Sequence, residues 1–316
     1  MTTRRALITG GAGFIGSHVA DALIADGWAV TVLDDLSSGK RAQIPTAATL
    51  VEADVRSALA ADTIKQGQFD LVCHLAAQID VRRSVTDPAY DVDVNIGGSV
   101  NLMQAVHSSG RKTRMIFAST GGAVYGDFIT PPNVETYAKD PESPYGIAKF
   151  STELYLAYYA RVHGLDYVAL RFANVYGPRQ DPHGEAGVVA IFCQRVIDGK
   201  PLTVFGDGGQ TRDYVFVGDV ARAHVLASKV PTIPAGRVDD RAFNLGTQRE
   251  TSVLDLATTL MRSAKKEVPL SHAPARAGEQ RRSVVSIEKA KAGLGWTPQV
   301  SLEEGLRCTF DWFAAR

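Results

Sequence analysis

The segment LITGGAGFIGSH, Leu7 to His18, constrains the fold of this chain more than any other stretch of it. A short apolar run, Ala6 to Thr9, halts at a cluster of glycines, Gly10, Gly11, Gly13 and Gly16. Apolar residues then return at helical intervals, at Phe14, Ile15, Val19, Leu23 and Ile24. A second apolar run, AVTVLDD, follows and ends in Asp34 and Asp35. Strand, glycine turn, helix and second strand with an acidic tip form one connected pattern. A flexible surface turn, the plain reading of a glycine cluster, explains none of the flanking sequence.

Each glycine has a physical reason in such a unit. Gly10 permits a tight turn out of the strand. Gly13 lets the backbone approach a pyrophosphate with no side chain in the way, and Gly16 lets the helix pack closely on the sheet. The helix start offers unpaired N–H groups and a positive dipole end to phosphates. At the second strand tip, the Asp34 carboxylate can accept hydrogen bonds from a ribose 2′-hydroxyl but repels a 2′-phosphate. These features predict a dinucleotide site that prefers NAD to NADP.

The 316 residues leave room for one large domain or two, and 45% hydrophobic with 22% charged residues is the composition of a soluble globular protein. Lys plus Arg and Asp plus Glu both total 34, so no basic surplus recommends nucleic acid. No basic amphipathic segment recommends a membrane surface. The apolar run before the glycines is too short for a signal peptide, and nothing approaches the roughly 18 apolar residues of a membrane span. Cys73, Cys193 and Cys308 lie far apart, without metal spacing or a disulfide framework. They are expected to be small core residues in a cytoplasmic protein.

Strand-like segments at 6–9, 29–34, 49–52, 70–75, 114–119 and 167–172 are interleaved with helix-like ones at 14–26, 91–109 and 145–163. This order predicts an α/β fold, a Rossmann-like doubly wound parallel sheet with helices on both faces. The pattern breaks at RFANVYGPRQDPHGEAG, rich in Gly, Pro and charge, which reads as a loop. Shorter, mixed elements follow. The expected division is an NAD-binding domain over 1–174 and a smaller mixed α/β substrate lobe over 175–316. Segments near 213–230 and 241–247 are expected to return to the first domain. Ligands of open parallel sheets bind beyond the carboxyl ends of the strands. The informative residues therefore include Asp54, HLAAQ at 74–78, STGG at 119–122 and RFANVYG at 171–177.

Two of these segments suggest chemistry. The strand RMIFAST ends at Ser119 and Thr120, and SPYGIAKF supplies Tyr145 and Lys149, four apart and so on one helix face. A phenol titrates near pH 10, too high for a general base at neutral pH. A neighbouring ammonium and a cationic nicotinamide both favour the phenolate, and a hydroxyl at a nearby strand end can hold the reacting alcohol. Hydride transfer between a secondary alcohol and NAD needs this set of groups.

GGAGFIG, Asp34, HLAAQ, Asn95, STGGAVYG and YGIAK together resemble the extended short-chain dehydrogenase/reductase superfamily. Within it the chain is similar to nucleotide-sugar 4-epimerases of the UDP-glucose 4-epimerase type. The likeness runs on through RFANVYGPRQ, LTVFGDGGQTRDYVFVGDVARA, FNLGT and ARAGE. It implies an isomerase with tightly bound NAD and no metal, interconverting UDP-glucose and UDP-galactose through a 4-keto sugar. Tyr145 takes the proton of the sugar 4-hydroxyl, and Lys149 binds the nicotinamide ribose and depresses the phenol pKa. The implied cofactor site comprises Gly10, Gly13, Phe14, Ile15, Gly16, Asp34, Asp35, Ser38, Gly39, Asp54, Val55, Leu75, Ala76, Ala77, Asn95, Ser119, Tyr145, Lys149 and Phe172. The implied substrate site comprises Thr120, Asn174, Gly187, Val188, Thr203, Phe205, Arg212, Arg276 and Glu279. Arg212 and Arg276 meet the diphosphate, Glu279 the uridine ribose, and Thr203 to Phe205 the uracil. A homodimer is implied, with helices 91–109 and 145–163 pairing with their copies.

One departure bears on catalysis. The family places a serine or threonine in the hydroxyl position; counting back from Tyr145 gives Thr120, whereas counting from VYG gives Gly121. Thr120 is the expected donor, with Ser119 the weaker candidate. Residues 118–126, ASTGGAVYG, hold no carboxylate, which argues against the dehydratases of the superfamily. The two glycines are expected to leave space for a sugar ring to turn. UDP-N-acetylhexosamines and UDP-glucuronate are the alternative substrates: Ser283 is small at the expected size gate, and Arg179 is close to where a uronate would need a cation. A catalytically silent dinucleotide-binding protein would be expected to lack Tyr145 or Lys149. His74 reads as a satisfied core histidine, His183 as an isolated one, and Tyr155, Tyr158 and Tyr159 as packing or dimer contacts.

Overall fold

Apolar runs such as ALIT, VTVL and YVALRF carry no polar alternation, as expected of strands buried on both faces. The computed structural model describes residues 3–127, 129–183, 187–275 and 280–316. It contains β1 (Arg5–Thr9), β2 (Ala29–Asp34), β3 (Thr49–Glu52), β4 (Leu71–His74), β5 (Arg114–Thr120) and β6 (Asp166–Phe172). After these come β7 (Asn174–Tyr176), β8 (Leu202–Phe205), β9 (Thr211–Arg212), β10 (Tyr214–Phe216), β11 (Ala242–Leu245), β12 (Thr251–Ser252), β13 (Leu270–Ala273) and β14 (Arg282–Ser283). The central sheet has seven strands in the order β11-β6-β5-β4-β1-β2-β3, and all its pairs are parallel. From β1 the chain winds outward through β2 and β3, then returns to β4 and winds the other way. The switch point between β1 and β4 is where such a sheet opens a crevice.

Side-chain alternation along the strands sends residues to two separate cores. Ala6, Ile8, Val30, Val32, Cys73 and Ile116 point to one face. There they meet α1 (Phe14–Ala25), while Leu7, Leu33, Val72, Met115 and Phe117 point to the other. The second face is covered by α2 (Ala58–Gly67), α5 (Gly98–Ser108) and α6 (Pro144–His163). Between α2 and α5 lie two short helices, α3 (Val81–Thr86) and α4 (Pro88–Val92). The remaining helices are α7 (Val188–Ile197), α8 (Val217–Ala227), α9 (Val253–Ala264), α10 (Glu288–Leu294) and α11 (Leu302–Ala314). α8 packs against α1 and α10 on the first face. A third core gathers residues of α7, β8, α9 and α11 into a smaller mixed lobe.

The expected helix 91–109 has a different form. It begins earlier, as α4, and a π-helical turn at Asp93–Gly97 joins α4 to α5. The extra residue per turn brings Asn95 inward, where its amide bonds the backbone of Gln78. Asp213 and Asp219, in the TRDYVFVGDV stretch, organise the second half of the chain. Asp213 accepts bonds from Thr247 and Gln248, and Asp219 accepts the backbone N–H of Gln299 and Val300. Cys73 and Cys193 are buried as expected, but Cys308 is exposed on α11. Its helix turns that position away from the third core. Among the described residues, no helix is long and apolar enough to cross a membrane.

Candidate active site

A cleft of about 500 Å³ opens at the carboxyl ends of β1, β2, β4 and β5. Every residue expected in the cofactor site lines it, except Asn95, which lies buried behind Gln78. Gly10 has φ +70°, and a Cβ there would stand 2.6 Å from the backbone N of Ala76. A Cβ on Gly16 would stand 2.1 Å from Gly10 O, so α1 approaches β1 more closely than any larger residue permits. Gly13 caps α1 without a side chain and no acidic residue occupies the first turn, which leaves that helix end suited to a phosphate. These features fit NAD.

Asp34 lies at the tip of β2 and is 7% exposed. Its carboxylate accepts the backbone N–H of Ala12 and of Leu36, each at 2.9 Å. Burial raises its pKa, the two backbone bonds oppose that, and Asp35 adds a further upward push. Asp35 itself folds the following turn by accepting Ser37 N and Oγ. Arg179 to Asp181, which the sequence reading placed towards the sugar, line the cofactor cleft, as do Lys40 and Gln43, which escaped that reading. Asp181 pairs with Lys40 at 3.4 Å, and Arg179 with Asp21 at 2.7 Å. One nitrogen of the Arg179 guanidinium is thus engaged by α1, while its Nη1 has no hydrogen-bond partner among the described residues.

At the other end of the cleft, Ser143 caps α6 by accepting Gly146 N, and Pro144 fills the first helical position. Tyr145 follows in the first turn, part-buried, with Lys149 one turn on. Lys149 is 4% exposed; its Nζ donates to Ala118 O at 3.0 Å and lies 5.8 Å from the Tyr145 ring centre. Burial lowers the ammonium pKa to about 8, with Asp91 and Glu153 holding it up. The phenol of Tyr145 is pushed upward, by burial first and then by Asp91. The expected depression of the phenol by Lys149 is not seen in the protein alone, where burial and Asp91 both act upward.

The hydroxyls of Ser119 and Thr120 have different surroundings. Ser119 is buried and donates to Glu153 Oε1, inside an ion pair with Arg171. Thr120 ends β5 in a more open place. A Cβ on Gly122 would lie 3.8 Å from Thr120 Oγ1, 3.8 Å from Asn174 Oδ1 and 3.9 Å from Ser283 Oγ, so three polar groups surround one point. Gly121 does not share that space, because its Cβ would meet Val285 Cγ1 at 2.9 Å. The expectation that both glycines leave open space is therefore corrected at Gly121.

Other expected substrate residues lie beyond the cofactor cleft. Arg212 is in register with Ser283 on the neighbouring strand, which puts it beside the Thr120–Asn174 cluster. Thr203 and Phe205 sit on β8, paired to β13. Gly187 caps α7 ahead of Val188, and a Cβ on it would stand 2.6 Å from Nε2 of Gln180 in the cleft wall. Arg276 and Glu279 lie outside the described residues. His74 is bonded at both ring nitrogens, to Thr9 and Ser99, and burial drops it to about 3, so it is a satisfied core histidine. Tyr155 and Tyr158 are exposed, whereas Tyr159 packs against the second core. Among the described residues, no three His, Cys, Asp or Glu side chains gather as a metal site.

Fold and cleft define a Rossmann-type, NAD-binding member of the short-chain dehydrogenase/reductase class. The sequence model of the NAD dependent epimerase/dehydratase family matches residues 6–246, and the chain belongs to that family. It is 43% identical to UDP-glucose 4-epimerase of Mycolicibacterium smegmatis over 314 residues, 98% of each chain. A solved UDP-glucose 4-epimerase of Thermotoga maritima with UDP-glucose superposes with a TM-score of 0.92 at 45% identity, covering 98% of this chain and 99% of that one. The NAD complex of UDP-glucose 4-epimerase from Thermus thermophilus gives 0.88 at 42%, covering 98% of both.

Proposed function

We propose that this protein is an NAD-dependent nucleotide-sugar 4-epimerase that interconverts UDP-glucose and UDP-galactose. The observation that carries the reading is the Tyr145–Lys149 pair on the wall of the NAD cleft, beside the cluster of Thr120, Asn174 and Ser283. The names of the relatives, above all the Thermotoga maritima enzyme with UDP-glucose, support the substrate class. Incubating the purified protein with a panel of UDP-sugars and separating the products by chromatography tests it. UDP-glucose and UDP-galactose should reach the same equilibrium mixture from either side. Exclusive turnover of UDP-N-acetylhexosamines or UDP-glucuronate would replace the proposed sugar.

The residues divide the work by position. Thr120 hydrogen-bonds the sugar 4-oxygen, while Tyr145 takes its proton and later returns it. Lys149 holds the ribose next to the nicotinamide and keeps positive charge beneath the phenol. When bound, NAD supplies reversible hydride acceptance and a cationic ring that favours the phenolate. The polar floor around Gly122 gives the 4-keto sugar room to present its other face. Arg212 and Arg276 bind the diphosphate, Asn174 and the start of α7 at Gly187 and Val188 support it, and Thr203, Phe205 and Glu279 hold the uridine. We assign residues 1–174 to the cofactor domain and most of 175–316 to the substrate lobe. β10 with α8, and β11 in the main sheet, are chain returns to the first.

Asp34 sets cofactor choice in this reading. NAD should bind at least about fivefold more tightly than NADP, because a like charge close to a 2′-phosphate costs roughly 1 kcal/mol or more. Titration of both cofactors checks it, and equal affinities would remove Asp34 from the role.

The protein works as a cytoplasmic homodimer. Ile147, Leu154, Tyr155, Tyr158 and Val162 form an exposed stripe along α6, and Ser151, Leu154, Tyr155 and Tyr158 line an open hollow of about 370 Å³. An apolar stripe of that length on a helix marks an interaction surface. Light scattering at micromolar concentration should give twice the chain mass of 33.9 kDa, and Tyr158→Glu should halve it. A wild-type monomer would contradict the assignment.

A further inference from the structure

One buried carboxylate, on a helix that packs against α6 and joined through Asn95 to Thr152 of α6, has no part in the chemistry above. Asp91 has no exposed surface, and α4 and the π turn after it both pack on α6. Its Oδ1 accepts Gln78 Nε2 at 2.9 Å and Asn95 Nδ2 at 3.0 Å. Its Oδ2 has no hydrogen-bond partner among the described residues. A buried carboxylate in such surroundings is costly unless its charge answers another.

The donors that orient Asp91 are themselves fixed. Asn95 brackets the Gln78 backbone, accepting its N–H and donating to its carbonyl, both at 2.9 Å. Asn95 O accepts the hydroxyls of Ser99 and Thr152, and Ser99 meets His74, which meets Thr9. Asp91 thus ends a buried polar chain that runs from β1 beneath the cofactor cleft towards α6.

We propose that Asp91 is the counter-charge that keeps Lys149 an ammonium beneath Tyr145, a positioning residue that sets the upper pH limit of proton transfer. Among the described residues, few charged or titratable groups act on or lie beside Lys149. Tyr145 and Glu153 belong to its own helix, Asp91 comes from α4 and His74 from β4. Glu153 is already neutralised by Arg171, and His74 stays neutral at working pH. On the outer side of α4, Arg83 stacks on Tyr90, Arg56 pairs with Asp54 and Asp93, and Arg82 is exposed. Asp91 is therefore the acting charge without a partner of its own. Lys149 donates to a neutral carbonyl and forms no ion pair among the described residues.

This inference rests on Tyr145 and Lys149 as the proton-transfer pair. Its test is Asp91→Asn, which keeps the bonded oxygen and replaces only the unpartnered one, alongside the smaller Asp91→Ser. Two readouts are taken on the NAD-loaded protein. One is phenolate absorbance against pH, as a difference from Tyr145→Phe; the other is the pH profile of turnover. Removing a negative charge lowers the pKa of both neighbours. The phenolate should appear, and the alkaline fall in turnover should begin, about one pH unit lower in both variants. Rates near pH 7 should stay within a few-fold of wild type. Unshifted titration with uniformly lower rates, or failure of both variants to fold, would make Asp91 a scaffold residue and overturn the proposal. If the protein turned over no UDP-sugar, the function would fail while the phenolate titration still decided the role of Asp91.

Discussion

Tyr145→Phe should leave a folded, NAD-loaded protein whose turnover of UDP-glucose falls by roughly 10²–10⁴-fold, the usual cost of losing a general acid/base. The ring keeps its place in the first turn of α6, beyond the Ser143 cap, so packing should be untouched. Only the phenolic oxygen is lost, and no other titratable group among the described residues shares its position on the cleft wall. Lys149 points its ammonium at Ala118 O and cannot substitute. Thr120→Val has nearly the same shape without a donor and should lower the rate in the same direction. Ser119→Ala should act through α6 instead, because the Ser119 hydroxyl is engaged with Glu153. Near-normal turnover in Tyr145→Phe would mean that another group moves the proton.

The largest effect on stability is expected from Arg171→Met. Arg171 is fully buried in β6 and binds Glu153 and Asp239, with Tyr125 OH and Glu135 O as further partners. Removing the guanidinium leaves Glu153 buried without a counter-charge, a loss of about 3–5 kcal/mol. In a protein of this size that lowers the melting temperature by roughly 5–8 °C. Adding Glu153→Leu should recover much of the loss, because an apolar replacement of both partners removes the stranded charge. Thermal denaturation of the single and double variants measures this. A single-variant loss below about 1 kcal/mol would show that the network is not a structural clamp.

Much of the first domain was legible in the sequence because its signals are local. A strand buried on both faces must be apolar throughout, so β2 and β6 stood out within a residue of their ends. Gly10 and Gly16 were readable because sterics at one turn exclude every larger residue. What stayed hidden depends on partners distant in sequence. Arg171 sits in an apolar run whose neighbours Glu153 and Asp239 lie in separate elements. The π turn at Asp93–Gly97 has no periodic signature, so a continuous helix was the natural expectation. Arg179 could be placed near the sugar by sequence, but its pairing with Asp21 needed the fold. The engagement of the Ser119 hydroxyl with Glu153, which Thr120 does not share, likewise needed the fold.

The central claim is that the configuration at C4 is inverted by removing a hydride and returning it to the same carbon. Conversion of UDP-glucose carrying deuterium at C4, in ordinary water and without added cofactor, tests this most directly. The account predicts UDP-galactose that retains deuterium at C4, with none released to solvent. Product that has lost the C4 label to water would contradict it.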